Sequence, residues 1–397
     1  MITKEQLCSI CFEQIIPKWH SMPDTFPDFL QVFSKEEKSN NDRLGNELRK
    51  SMKALAQNPT PEQKEEIKRK MNKVLQTENI LSVRKHVSEE LLEEFEEKIE
   101  YFMERAKAFD ETLPLENIWQ AMRNYLIYAM IVNFQGKRQN CQDTIFGYSL
   151  LYPYTDNYID ELHRKSMDKN SYNDLIRKTL SGENICPRNA YEEKTKKLLE
   201  LVLNYYSDDI EKRKEAANLL LLMLEAQEQS ILQIHHFGTK KLKEEEILRI
   251  SAYKGGLSVF LDYLFSMDFE VASVTEEERY FYLCFGLILQ LADDLQDIAE
   301  DKKKHSQTMI TVCHRKRELE ATVNRLLHFA QTCMTGFSPR NPELHKFMLQ
   351  NCQIMLLAAV AKNARYFSKT YLEKLEPHLP MSFQQFQTNQ MNGRVIA

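Results

Sequence analysis

The sequence is poor in residues that break helices: ten glycines and twelve prolines in 397 residues. Alternating runs of valine, isoleucine and threonine, which a half-buried strand needs, are scarce as well. These shortages argue against a β-rich fold. Apolar runs such as residues 219–224 and 356–361 fall far short of the ~20 residues that cross a bilayer. The first residues lack a charged stretch followed by an apolar one, so no secretory leader is expected. The eight cysteines are scattered; only Cys8 and Cys11 form a Cys-x-x-Cys, and no second pair completes a zinc site. They read as reduced thiols of a cytoplasmic protein. A net charge of −5, without a basic stripe carrying interleaved aromatics, gives no general attraction to nucleic acid.

What is present is a composition dominated by Leu, Glu, Lys, Gln and Met, with 43% apolar residues. That is an all-α composition with enough apolar surface for a sizeable core. Residues 1–33 suggest a short helix and an irregular segment lying on the body. Residues 34–110 are charge-rich, with helices expected near 42–57, 61–75 and 88–108. Thr60-Pro61-Glu62-Gln63 supplies an N-cap, a proline at N1 and a glutamine at N3. No chemistry is visible there, so residues 1–110 read as a helical cover packed on the body. Residues 111–380 form the main domain, with helices over 115–135, 142–165, 188–206, 210–235, 243–266, 279–304, 315–335 and 342–372. His235 and His236 face different sides and mark a helix end rather than a metal pair. The Gln-rich tail 381–397 is expected to fray.

The chain is organised around residues 279–304. Read as one helix, Phe281, Phe285, Ile288, Ala292, Leu295 and Ala299 make a core stripe. On another face Gln290, Asp293, Asp297 and Asp301 stack at four-residue spacing. Like charges at i,i+4 cost a helix roughly 0.2–0.5 kcal/mol per pair. Either this face is solvated and balanced by Lys302, Lys303 and Lys304, or a cation sits over the column. The apolar flanks favour the cation, and hard divalent ions such as Mg²⁺ take carboxylate oxygens.

Asp156 and Asp160 repeat the i,i+4 acid pair after an apolar helical run, with Pro153 expected to kink the helix one turn earlier. Asp160 with Arg164 and Glu161 with Lys165 equally make ordinary i,i+4 ion pairs. Lys254-Gly255-Gly256 interrupts an otherwise apolar helix. The interruption is either a break whose backbone N–H groups and lysine suit an anion, or a plain hinge. Arg249 lies just before it. Arg123 is a single charge in the apolar helix 115–135; it either reaches a site or snorkels to the surface.

Two acid-bearing helices separated by 137 residues, with a basic helix break before the second, resemble the class I isoprenoid synthases over roughly residues 115–375. Asp156-Asn157-Tyr158-Ile159-Asp160 looks like the first aspartate-rich motif, with Asn157 in place of a second Asp. Gly286-x-x-x-Gln290-x-x-Asp293-Asp294-x-x-Asp297 looks like the second motif of chain-elongating prenyltransferases. Lys254 falls where those enzymes keep a diphosphate-binding lysine. Asp293, Asp297 and Asp301 also occupy the i, i+4, i+8 positions of the terpene synthase metal triad. Arg249 is spaced like that family's diphosphate-sensing arginine, and Arg365-Tyr366 resembles its C-terminal pair.

The resemblance implies an all-α class I terpenoid synthase bundle around a central active-site cavity. It implies three Mg²⁺ ions held by Asp156, Asp160, Asp293, Asp297 and Asp301 against the diphosphate of a linear prenyl substrate. Arg249, Lys254, Arg365, Tyr366 and Arg164 or Lys165 would bind that diphosphate. The first expectation is a terpene synthase, which ionises and cyclises one prenyl diphosphate. The second is an enzyme coupling prenyl diphosphates, and the third a non-catalytic helical binding protein. Phe146, Tyr152, Tyr282 and Phe285 lie near the motifs and serve either a carbocation pocket or the core. A homodimer is compatible with the sequence. Substrate length and product skeleton are not legible in it.

Overall fold

The computed structural model describes residues 2–53, 82–137, 142–160, 166–234 and 241–390, with single positions between 54 and 82; the side chains of Ile159 and Asp160 lie outside the described set. Among the described residues the regular structure is helical, with no strand and one isolated bridge between Ile234 and Ser306. An N-terminal helical run comprises Lys4–Ser9, a π turn at Ile10–Ile15 and Ile16–His20. The longer elements are α1 (Lys35–Lys53), α2 (Glu89–Phe109), α3 (Leu115–Phe134), α4 (Gln142–Asp160), α5 (Ser166–Leu180), α6 (Ala190–Tyr205), α7 (Ile210–Ser230), α8 (Glu244–Ser266) and α9 (Glu276–Gln296). They continue with α10 (Ile298–Lys304), α11 (Met309–Lys316), α12 (Leu319–Thr335), α13 (Pro342–Lys362), α14 (Lys369–Leu375) and α15 (Phe383–Gln390).

Local chemistry sets most helix starts. Ser88, Asn189, Asp209 and Asn341 each accept a backbone N–H of the first turn. Thr275 and Glu278 close a capping box at the start of α9. Thr60 and Gln63 form the same box, while most of the helix expected after them lies outside the described residues.

Helices α8 and α9 form the centre, each buried over most of its length. Around them pack α3 and α4 on one side, α7 and the N-terminal run on another, and α12 and α13 beyond α9. Lys254-Gly255-Gly256 is not a break: α8 runs through it without interruption. The glycines instead let two backbones touch. A Cβ on Gly286 would sit 2.0 Å from the Gly255 carbonyl oxygen, and one on Gly255 would sit 2.5 Å from the Gly286 carbonyl oxygen. Only glycine permits that approach.

The 279–304 segment is two helices, not one, because the chain turns at Asp297 (φ −101°, ψ 12°). The segment 342–372 is likewise divided, into α13, a 3₁₀ turn at Ala364–Tyr366 and α14. Residues 1–33 are threaded into the core: Leu7, Ile15 and Trp19 are fully buried, and Trp19 meets Phe329 edge-on at 5.7 Å. The start of the tail also packs rather than frays. Gln385 and Phe386 of α15 are buried, and Arg49 Nη2 donates to Gln385 Oε1 at 2.7 Å. One apolar cluster therefore runs from Ile2 to Phe386. No helix of the described residues is long and apolar enough to cross a membrane.

Candidate functional site

The acids of α9 and α10 owe their arrangement to a residue far along the chain. Asn363, just past α13, donates through Nδ2 to the carbonyl oxygens of Leu295 (3.0 Å) and Gln296 (3.1 Å). The Glu300 N–H turns to the Asp297 carbonyl at 2.9 Å, ending the regular ladder there. Asp297 thus sits at a helix junction, with Asp293 one turn before and Asp301 one turn after. Asp293 and Asp297 are exposed, Asp301 is half-buried and Asp294 is buried.

The second acidic helix faces them. Lys254 Nζ, on α8, lies 2.8 Å from Asp156 Oδ1 on α4. The charge of Lys254 also lowers the pKa of Asp293 and Asp294, and the charge of Asp156 raises that of Asp293. Lys254 therefore stands between the two acid-bearing helices. A third wall comes from α3. Gln120 and Asn157 exchange amide hydrogen bonds of 3.0 and 3.4 Å, holding α3 beside the Asp156 end of α4. Arg123, one turn beyond Gln120, is exposed, and its charge steadies both Asp293 and Asp297. Of the two roles open to it from sequence, this is the one that reaches the acids.

Burial is the largest influence on these carboxyls, with neighbouring acids adding to it. The Asp293 pKa is pushed up to about 6 by burial and Asp297. That of Asp301 is pushed up to about 7 by burial, Asp297 and Asp293. Burial also raises that of Asp297, against the charges of Lys362, Arg123 and Lys304. The surroundings of α9 and α10, the candidate recess, thus favour the protonated carboxyls over the charged ones. On the same helix the buried Asp294 accepts from Gln290 Nε2 at 3.0 Å, while its Oδ2 has no hydrogen-bond partner.

Asp160 closes α4, but its side chain, and all of Arg164 and Lys165, lie outside the described residues. Arg249 does not join the acids: it pairs with Glu245 at 3.5 Å and its guanidinium lies 5.2 Å from the Phe12 ring centroid. Five residues on a helix turn about 140°, which separates it from Lys254. Arg365 lies over Tyr366 at 4.8 Å, and Lys302 and His314 pack on the same ring. Tyr282 stacks on Tyr263, Phe285 on Phe281, and Phe146 meets Phe102; all three are core.

Tyr152 lines a cavity of about 30 Å³ between α4, α5, α6 and α7, room for a water or two. An open groove of about 510 Å³ lies between α2, α4 and α6, lined by Arg105, Phe109, Phe146 and Lys197. Neither recess is lined by an aspartate of the cluster.

Two polar groupings carried no signal in the sequence. Asp262, fully buried on α8, accepts from Asn124 Nδ2 at 3.1 Å, and Asn124 also contacts Ser149 Oγ at 3.2 Å. Glu244, Cys313 and Glu318 bring their ligand atoms within 4.8 Å of one another, with Lys316 already on Glu244. Comparison of the chain with protein-family models, curated proteins and solved structures finds no match.

Proposed function

We propose that the recess binds the diphosphate of a prenyl diphosphate together with Mg²⁺ and promotes its ionisation, the chemistry of the class I isoprenoid synthases. The observation that carries the reading is Lys254 set between Asp156 and the acids of α9. The donor set suits a hard divalent ion: oxygen ligands only, raised carboxyl pKa values, and one buried carboxylate oxygen without a partner. Asp156, Asp293, Asp297 and Asp301 would hold the metal, with Asp160 joining them on sequence grounds. When bound, Mg²⁺ supplies Lewis-acid neutralisation of the leaving diphosphate.

The chain's own cations do the rest. Lys254 from α8 and Arg123 from α3 would donate charge-assisted hydrogen bonds to phosphate oxygens. A terpene cyclase is the first outcome expected from sequence. Coupling of two prenyl diphosphates is favoured by a specific observation: Arg249, one of the cyclase-like features, turns to Glu245 and Phe12, while the transferase-like Lys254 stands among the acids.

Incubation with Mg²⁺ and C10 to C25 prenyl diphosphates, with and without isopentenyl diphosphate, decides between them. A cyclic product with the carbon number of the single diphosphate supplied supports cyclisation, whereas a product of twice that carbon number supports head-to-head coupling. A longer diphosphate, formed only with isopentenyl diphosphate, supports chain elongation. Absence of turnover together with absence of Mg²⁺-dependent diphosphate binding would sink the enzyme reading and leave a helical binding protein.

A further inference from the structure

Lys254 occupies one of the carboxylates that the proposed site would offer to a metal ion. Its Nζ lies 2.8 Å from Asp156 Oδ1, and the two side chains are only 11% and 14% exposed. Its backbone has no freedom to retreat. The next two residues, Gly255 and Gly256, are in backbone contact with Gly286, the closest approach in the α8–α9 crossing described above. Only the side chain of Lys254 is able to leave Asp156.

We infer that Lys254 is a resident counter-ion that makes the aspartate site selective for a metal–diphosphate pair over the free metal ion. The inference rests on the reading of these aspartates as a diphosphate site and goes beyond it. A divalent ion arriving alone at Asp156 has to displace an ammonium already hydrogen-bonded there. The displaced charge then stays in a largely enclosed place, beside acids that the ion is also claiming. That arrangement opposes the metal by electrostatic repulsion and by loss of a charge-assisted bond.

A diphosphate removes the opposition. Its oxygens accept Lys254 as it leaves Asp156, and its negative charge offsets the added cation. Diphosphate without metal meets the reverse obstacle, the negative charge of Asp293, Asp297 and Asp301, spaced one turn apart along α9 and α10. Each ligand thus relieves what excludes the other, and the coupling is reciprocal. A site built this way stays free of metal until substrate arrives, and discriminates against unphosphorylated prenyl alcohols.

The test uses the full-length protein and Lys254→Met, which keeps the apolar stem and removes the charge. Binding of Mn²⁺, a paramagnetic stand-in for Mg²⁺, is followed by its solution resonance signal with and without inorganic pyrophosphate, after subtracting complex formation in protein-free buffer. Circular dichroism checks the fold, and Lys254→Gln replaces the methionine variant if that one melts early. The natural protein is expected to bind free Mn²⁺ weakly and to bind it at least about tenfold more tightly with pyrophosphate. Lys254→Met is expected to bind free Mn²⁺ about tenfold or more tightly than the natural protein, with little further gain from pyrophosphate. A folded variant that binds free Mn²⁺ no better than the natural protein overturns the inference and leaves the metal site standing. Uptake of Mn²⁺ by neither protein at any pyrophosphate concentration overturns both the inference and the reading it rests on.

Discussion

At Asp262 the chain keeps a carboxyl where water does not reach. Burial pushes its pKa well above the ordinary carboxylate range, and the hydrogen bond from Asn124 only partly offsets that. A raised folded-state pKa means that the folded protein holds the proton above the pH at which the unfolded chain releases it. The contribution of Asp262 to stability is therefore fully present below about pH 4 and is lost as pH rises further. Asp262→Asn keeps the shape and removes the titration. The melting temperature of the variant should exceed that of the natural protein by a margin that grows from pH 5 to pH 8; parallel curves would show that Asp262 is not the titrating group. Nothing in the sequence marks this residue, because it stands alone in an apolar helix and its partner lies 138 positions earlier. The aspartates of the recess were legible for the opposite reason. Acids at i,i+4 are a local pattern, and a local conflict with helix stability is visible without tertiary contacts.

Helices show the same division between local and distant causes. The Thr60–Gln63 box and the helix start at 88 were readable from a few adjacent residues. The glycines of α8 were misread as an interruption because their partner, Gly286, lies on another helix. Gly286→Ala would force a methyl group to 2.0 Å from the Gly255 carbonyl oxygen and 2.6 Å from the Gly256 Cα. The helices would have to part, at about 3 kcal/mol or more. Gly45→Ala is the control. Its new Cβ meets only Met381 Sδ at 3.8 Å, so the change should stabilise by about 0.5–1 kcal/mol through helix propensity. Denaturant melts of the two variants should shift in opposite directions. The junction at Asp297 depends similarly on Asn363. Asn363→Ala would leave the Leu295 and Gln296 carbonyls without their side-chain donor, costing roughly 1–3 kcal/mol. If the junction were intrinsic to residues 293–301, the melt of that variant would not change.

Across the whole molecule, the recess draws Arg123 from α3, Asp156 from α4, Lys254 from α8 and the acids from α9 and α10, positions spread over nearly 180 residues of chain. No sequence pattern brings Arg123 to the others; the α3–α4 and α8–α9 packing does. If those walls share one ligand, pyrophosphate with Mg²⁺ should raise the melting temperature of the natural protein. A ligand at a hundredfold excess over its Kd stabilises by about 2.7 kcal/mol, which is a shift of several degrees. Arg123→Gln should lose most of that shift, because a charge-assisted bond to phosphate is worth roughly 1.5–3 kcal/mol. Lys369→Gln, at a surface lysine 91% exposed on α14, should keep the whole of it. Equal shifts in all three proteins would mean that α3 supplies no part of the site, and the third wall would reduce to the Gln120–Asn157 clasp. A shift lost in Arg123→Gln but kept in Lys369→Gln would mean that a helix carrying no aspartate motif helps hold the diphosphate, through a single positive charge beside Asp293 and Asp297.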